Sequence, residues 1–377
     1  NQSKWFATVD TPDKYTVVLK SDVSRPAAFD YFNALMIVDQ ESLSGPDAKT
    51  KEIGTGPFVF KEWVQGDHLT YAKNPNYWKS GRPYLDGYVA SVTKDTAAMA
   101  LRLESGAVDA INAPVLSDFV RYSKDPKYAA LIPAGQQSAL GLGANTLFPP
   151  TDNKLVRQAL NYAIDRDRYA STVMQGVVKS SSLPWDPNSP AYEAAKDQTY
   201  TFNLDKAKSL LQQSGVTSAE LDFLPSPNYP EFDLFGQIYQ ADLAKIGIKL
   251  NIVKLDNAAW LDQANNRKYH GLWASTISVP LGDPVTAFAN GRGTDPNSNN
   301  EGYKNDKYAA LIAQGASETD PAKRKMIYSQ LNDIILDDAF IMSLSPYPPR
   351  LVTTAKVHDI VSSAWPGFNY YNAWMES

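Results

Sequence analysis

Residues 54–111 read GTGPFVFKEWVQGDHLTYAKNPNYWKSGRPYLDGYVASVTKDTAAMALRLESGAVDAI. Gly54 to Pro57 forms a turn, and Phe58, Phe60 and Val64 then mark a strand. Leu69 and Tyr71 supply its hairpin partner, with Gly66-Asp67 turning the chain between them. Lys73 to Trp78 is a loop carrying two aromatics. A third strand runs over Tyr88 to Val92. Asp95 or Thr96 caps a helix through Met99 and Leu103, and Gly106 ends it in the left-handed position. Val108 to Ile111 is a short closing strand. Strand, helix and strand in this order predict an α/β fold with a partly parallel sheet.

The same pattern extends outward. Tyr15, Val17 and Leu19 alternate with Thr16, Val18 and Lys20 as a strand, after a turn at Pro12-Asp13. Pro26 favours a helix start after it. Past Pro149-Pro150, Asp152 or Asn153 caps a helix whose apolar stripe is Leu155, Val156, Ala159, Leu160, Ala163 and Ile164. Further helices are expected over 204–214, closed by Gly215, and 231–246, closed by Gly247. Ile248, Leu250 and Ile252 alternate as a strand. Residues 271–300 read as irregular. Asp320 and Pro321 open a helix with Met326, Ile327, Leu331, Ile334 and Ile335 on its core face. Residues 340–344 and 351–353 read as strands. No internal repeat is visible.

Composition narrows the function. The chain has 377 residues, a prior of two or three domains at ~150 residues each. Its 43% hydrophobic content suits a soluble globular protein, and no apolar run approaches the ~18 residues of a membrane span. A net charge of -5 argues against nucleic acid as a partner. Zero cysteines remove disulfides, thiolate nucleophiles and Cys-ligated metals, and fit an oxidising compartment. Residues 1–5 lack the apolar core of a signal peptide.

Catalytic motifs fail in turn. Pro57 removes an N–H that a phosphate cradle at Gly54-Thr55-Gly56 would use, and a strand follows instead of a helix. Gly141-Leu142-Gly143 lacks a third glycine. No nucleophile elbow occurs. His68, His270 and His358 are the histidines present, none at metal-ligand spacing with another. Asp295 to Glu301 lacks the glycine and spacing of a calcium loop. A serine hydrolase with His270 as base and Ser275 as nucleophile stays open, because triads assemble in space.

One ordered set of motifs stands out. Gly54 to Phe58, Trp63, Asn74 to Trp78, Gly81 to Asp86, Ala97 to Leu103, Ser105-Gly106 and Val108-Asp109 follow in sequence. Val156 to Asp165, Gly176, Leu183-Pro184, Asp205 to Lys208, Leu210-Leu211, Gly215, Asp283-Pro284, Arg324 and Tyr328 continue it. The set resembles the bacterial extracellular solute-binding proteins of family 5, the peptide and nickel receptors of ABC importers. The resemblance covers roughly residues 10 to 377.

It implies a two-lobed periplasmic-binding-protein-like α/β fold of type II, peptide-binding class, hinged and N-terminally shortened. Residues 1–50 would be a remnant of an N-terminal subdomain, 51–145 with 347–377 lobe 1, and 146–346 lobe 2. A missing N-terminal segment or a second chain would complete lobe 1. The implied partners are a small-molecule solute and the importer's membrane subunits, and the implied location is periplasmic or extracellular, anchored upstream or free. No cofactor, metal or catalytic residue is implied.

The resemblance also marks ligand-binding candidates. Trp260 matches a tryptophan that packs on ligand, and Arg267 falls near an arginine that meets carboxylate. Trp273, Ser275, Thr276 and Ile277 occupy the ligand-facing strand and loop. Asn145 lies at the hinge, with Trp185 and Tyr347 as further candidates. Peptide-binding members place an Asp shortly after a Gly-Trp pair to hold the ligand's α-amine. Here Ser275-Thr276 stands for that pair and Val279 near that Asp. An apolar residue cannot pair an ammonium, so an unmodified α-amino peptide is not the expected solute.

Overall fold

A computed structural model describes residues 5–35, 37–43, 52–132, 138–277, 282–362 and 368–376. It divides the chain into a larger unit, Asn1–Phe32 with Gln136–Tyr347, and a smaller unit, Asn33–Gly135 with Pro348–Ser377.

The larger unit opens with an antiparallel hairpin, β1 (Thr8–Asp13) and β2 (Thr16–Lys20). The stretch expected only as a turn before the first strand is therefore itself a strand. In the smaller unit β3 (Phe58–Val64), β4 (His68–Lys73) and β5 (Gly87–Ser91) form an antiparallel sheet. Phe60, Tyr71 and Tyr88 share one face, and Tyr71 stacks on Tyr88 with centroids 4.7 Å apart. Asp95 caps helix Thr96–Glu104 by accepting from the Ala98 N–H, as expected. The strands flanking that helix do not pair with each other. β5 takes the free edge of β4, while β6 (Ala110–Asn112) joins a second sheet with β7 (Tyr128–Leu131) and a strand from the chain's end.

Parallel pairing lies instead in the larger unit. Its sheet comprises β8 (Ser138–Ala144), β9 (Ala219–Pro225), β10 (Ile248–Ile252), β11 (Gly271–Thr276) and β12 (Ile341–Tyr347), in the order β10-β9-β11-β8-β12. β10 and β11 run parallel to β9, and β8 runs antiparallel to β11 and β12. The strand from the chain's end in the smaller unit is β13 (Leu351–Thr354), paired with β6 and β7. Residues 271–276, read as irregular, form a strand buried on both faces. Such a strand shows no alternation.

Helices cover both faces of the five-stranded sheet. Phe223 packs against Phe235 of helix Glu231–Ala244, and Tyr239 of that helix donates its hydroxyl to the Leu160 carbonyl of helix Lys154–Tyr162. On the other face Trp273, Ile277 and Ile341 share one core with Trp260, Phe288, Leu331 and Ile335. Asn153, Asp283 and Asp320 each cap their helix through the side chain, and Gly215 closes helix Leu204–Ser214 at φ 79°.

Gly143 has a steric reason. It stands opposite Trp273 in register, and a Cβ there would lie 2.1 Å from Trp273 Nε1 and 2.0 Å from Glu301 Oε1. The glycine pair that failed as a phosphate loop makes room for a buried indole and carboxyl.

Candidate functional site

The strand directions define one edge. The carboxyl ends of β9, β10, β11 and β12 collect there, beside the start of β8. Open α/β sheets place ligands at the carboxyl ends of their strands. After β12 the chain passes into the smaller unit at Pro348, and it returns ahead of β8 at Gln136.

Side chains at this edge come from several elements. Thr276 is half-buried at the end of β11, and the Ile277 N–H donates to the Ala139 carbonyl at 2.9 Å. Tyr347 ends β12, and its ring meets Tyr229 edge-on at 5.3 Å. Its hydroxyl donates to Glu231 Oε1 at 3.2 Å. Asn228 Nδ2 donates to Asn257 Oδ1 at 3.0 Å, tying the loop after β9 to the start of helix Asn257–Asn265. Tyr229, Glu231 and Asn228 were not singled out by the sequence. Their signal was the Ser226-to-Pro230 turn between a buried strand and a helix.

Trp260 lies behind this edge. It is 1% exposed, donates its indole N–H to the Leu224 carbonyl at 3.0 Å, and meets the Trp273 ring at 6.1 Å. Trp273 is fully buried and donates to Glu301 Oε1 at 2.8 Å. Glu301 is buried, and its Oε2 has no hydrogen-bond partner among the described residues. Burial pushes its carboxyl up to about 8, against which the Trp273 N–H and the charge of Arg267 act more weakly.

The other candidates lie elsewhere. Asn145 and Arg267 meet at the opposite end of β11, where Asn145 Nδ2 donates to the Tyr269 carbonyl at 2.7 Å and the Arg267 carbonyl at 3.2 Å. Arg267 holds φ 57° and donates from Nε and Nη2 to the Asn299 carbonyl at 2.9 and 2.6 Å. Trp185 is buried against Phe288 and donates to Asn332 Oδ1 at 2.9 Å. Val279 falls outside the described residues. Ser275 is buried within β11, five positions beyond His270. At ~3.3 Å per residue that separates the two by about 16 Å along one strand, too far for a nucleophile and its base. His270 instead packs on Phe148, with centroids 4.4 Å apart.

The family assignment follows from comparison with known proteins. The family model described as bacterial extracellular solute-binding proteins, family 5 Middle, matches residues 1–299. The chain belongs to this family. Heme-binding protein A of Haemophilus influenzae is 32% identical over 317 residues, covering 80% of this chain and 57% of that protein. Di/tripeptide-binding protein 1 of Pseudomonas aeruginosa is 28% identical, covering 86% of this chain and 61% of that protein. The chain thus spans less than two thirds of the length of these relatives. Among solved structures, HbpA2 from Haemophilus parasuis superposes with a TM-score of 0.83 at 25% identity, over 100% of this chain and 77% of that one. The binding protein AgaA from A. tumefaciens R10, in complex with agropinic acid, gives 0.80 at 25% identity, over 100% and 79%. The fold is therefore the α/β solute-binding fold that the ordered motifs implied. Family 5 proteins are extracellular by description. Among the described residues no helix is long and apolar enough to cross a membrane.

Proposed function

We propose that this chain binds a small solute lacking a free α-ammonium group and presents it to the membrane subunits of an ABC importer. The observation that carries the binding role is the family match over residues 1–299, on a sheet whose carboxyl edge gathers Thr276, Ile277 and Tyr347 in front of Trp260. The stretch Ser275 to Val279 supports the specificity. It offers hydroxyls and an apolar residue where the peptide-binding pattern has an acid. Enclosing an unpaired ammonium there would cost several kcal/mol, on the order of 3–5.

Two of the relatives support a solute of this kind, and the peptide-binding ones do not. One is named for heme and another was solved with agropinic acid, beside others named for di- and tripeptides. Thr276 and Tyr347 would supply hydroxyl contacts, and the indole of Trp260 would back the edge as a rigid apolar wall. Calorimetry on the purified chain tests this. Hemin, agropinic acid and N-acetylated dipeptides are expected to include a ligand. Unmodified dipeptides bound more tightly than their N-acetylated forms would refute the specificity.

A further inference from the structure

Arg267 is not free to meet an anionic solute. Both its Nε and its Nη2 already donate to the Asn299 carbonyl. Lys254 is paired with Asp233, and Lys268 with Asp262. Arg292 differs from all three. It is exposed, and its guanidinium has neither a hydrogen bond nor an ion pair with any described residue. Its guanidinium carbon lies 5.9 Å from the Trp260 ring centroid.

The backbone beneath Arg292 is fixed. Its carbonyl accepts from the Asn300 N–H at 2.8 Å. Gly291 before it packs so close that a Cβ there would lie 3.1 Å from the Ile277 carbonyl, at the end of β11. Gly293 after it leaves only 2.9 Å between such a Cβ and Ile341. The ring that Arg292 overlies is fixed too, by the Leu224 carbonyl and Trp273. A flexible cation is thus rooted on a rigid turn, above a rigid indole, in a loop that packs on the Ile277 carbonyl past the end of β11 and on Ile341 at the start of β12. Asn300 in the same loop is 3% exposed and keeps a buried Nδ2 without a hydrogen-bond partner.

We infer that Arg292 is the specificity-determining residue that fixes an anionic group, a carboxylate or its equivalent, on the bound solute. This deepens the reading above and rests on it. An arginine whose donor fork is not spent on the protein is suited to a bidentate contact with a carboxylate. The Trp260 face holds the guanidinium by cation–π attraction without using its N–H groups. The class of solute that follows is a small acid without a free α-ammonium group.

The test compares wild type with Arg292→Ala, Arg292→Lys and Arg292→Glu in calorimetric titrations. The probes are hemin, agropinic acid and N-acetyl-Ala-Phe, with N-acetyl-Ala-Phe amide as the neutral control. Arg292→Ala is expected to weaken the bound acid about 10- to 100-fold, the usual scale for a lost charge-assisted pair. Arg292→Glu should weaken it further, and Arg292→Lys should recover part of the loss. Melting temperatures without solute should match wild type, so the loss reports the contact and not the fold. If wild type and Arg292→Ala bind the acid equally, the inference is overturned and solute binding stands. If wild type binds the amide as well as the acid, it is overturned likewise. If wild type binds none of the probes, the proposed solute class falls with it.

Discussion

Replacing Glu301 with glutamine should remove a large pH dependence from the stability of the larger unit. The carboxyl is buried, receives the Trp273 indole N–H at 2.8 Å, and titrates near 8, against 4.5 in the unfolded chain. Between those values the folded state keeps a proton that the unfolded state has released. Stability therefore falls as pH rises from about 4.5 and levels off above about 8. At ~1.4 kcal/mol per tenfold change in proton activity, the full window corresponds to ~5 kcal/mol. About 4 kcal/mol of it falls between pH 5 and pH 8. Glutamine keeps the acceptor for Trp273 but adds an amide N–H₂ that lacks a partner, a pH-independent cost of ~1–3 kcal/mol. Urea unfolding of both proteins at several values from pH 5 to pH 8 separates the two effects. Stability of the Glu301→Gln chain relative to wild type should rise by about 4 kcal/mol across that range. The raised carboxyls of Asp30 and Asp283 are common to both proteins and cancel. Parallel stability curves would refute the reasoning, because they would mean Glu301 is already ionised or reaches water.

Three further outcomes follow. Gly143→Ala should destabilise by about 3 kcal/mol or more in denaturant unfolding, since its Cβ would sit 2.0 Å from Glu301 Oε1 with β11 and β12 on either side. Asp283→Ala removes the cap of helix Pro284–Asn290 and the ion-pair partner of the mostly buried Arg324. It should cost ~3–5 kcal/mol, read as a lowered melting temperature. His270→Ala should leave solute affinity unchanged in calorimetry, because that ring packs on Phe148 at the end of β11 away from the carboxyl edge.

The legible parts of the sequence were those where local chemistry decides the structure. Asp95, Asn153 and Asp320 announced helix starts because a side-chain acceptor before an apolar stripe has one common use. The hairpin of β3 and β4 was legible because its strands alternate across a Gly66-Asp67 turn. β8, β9 and β11 were not read as strands from their pattern. They are buried in the middle of a sheet, so alternation is lost, and β8 carries two glycines of low strand propensity. Those glycines make sense only with Trp273, Ile277 and Glu301 in place, a contact over more than a hundred residues of sequence.

Site reading divided along the same line. Thr276, Ile277 and Tyr347 gather at one edge because β11 and β12 both run antiparallel to β8 between them and so end on the same side. Trp260 and Trp273 were recognisable as large aromatics, but sequence could not show that both indole N–H groups are spent on protein acceptors. Arg267 and Arg292 are indistinguishable by residue type. The Asn299 carbonyl, bound to Arg267 and not to Arg292, and the exposure of Arg292 over Trp260 separate them.

A solute without a free α-ammonium group should be recoverable from this chain. Native mass spectrometry of the purified chain, followed by release and identification of any adduct, tests it most directly. The expected adduct is a stoichiometric small acid that carries no free α-amine. Recovery of an unmodified di- or tripeptide as the bound species would contradict it.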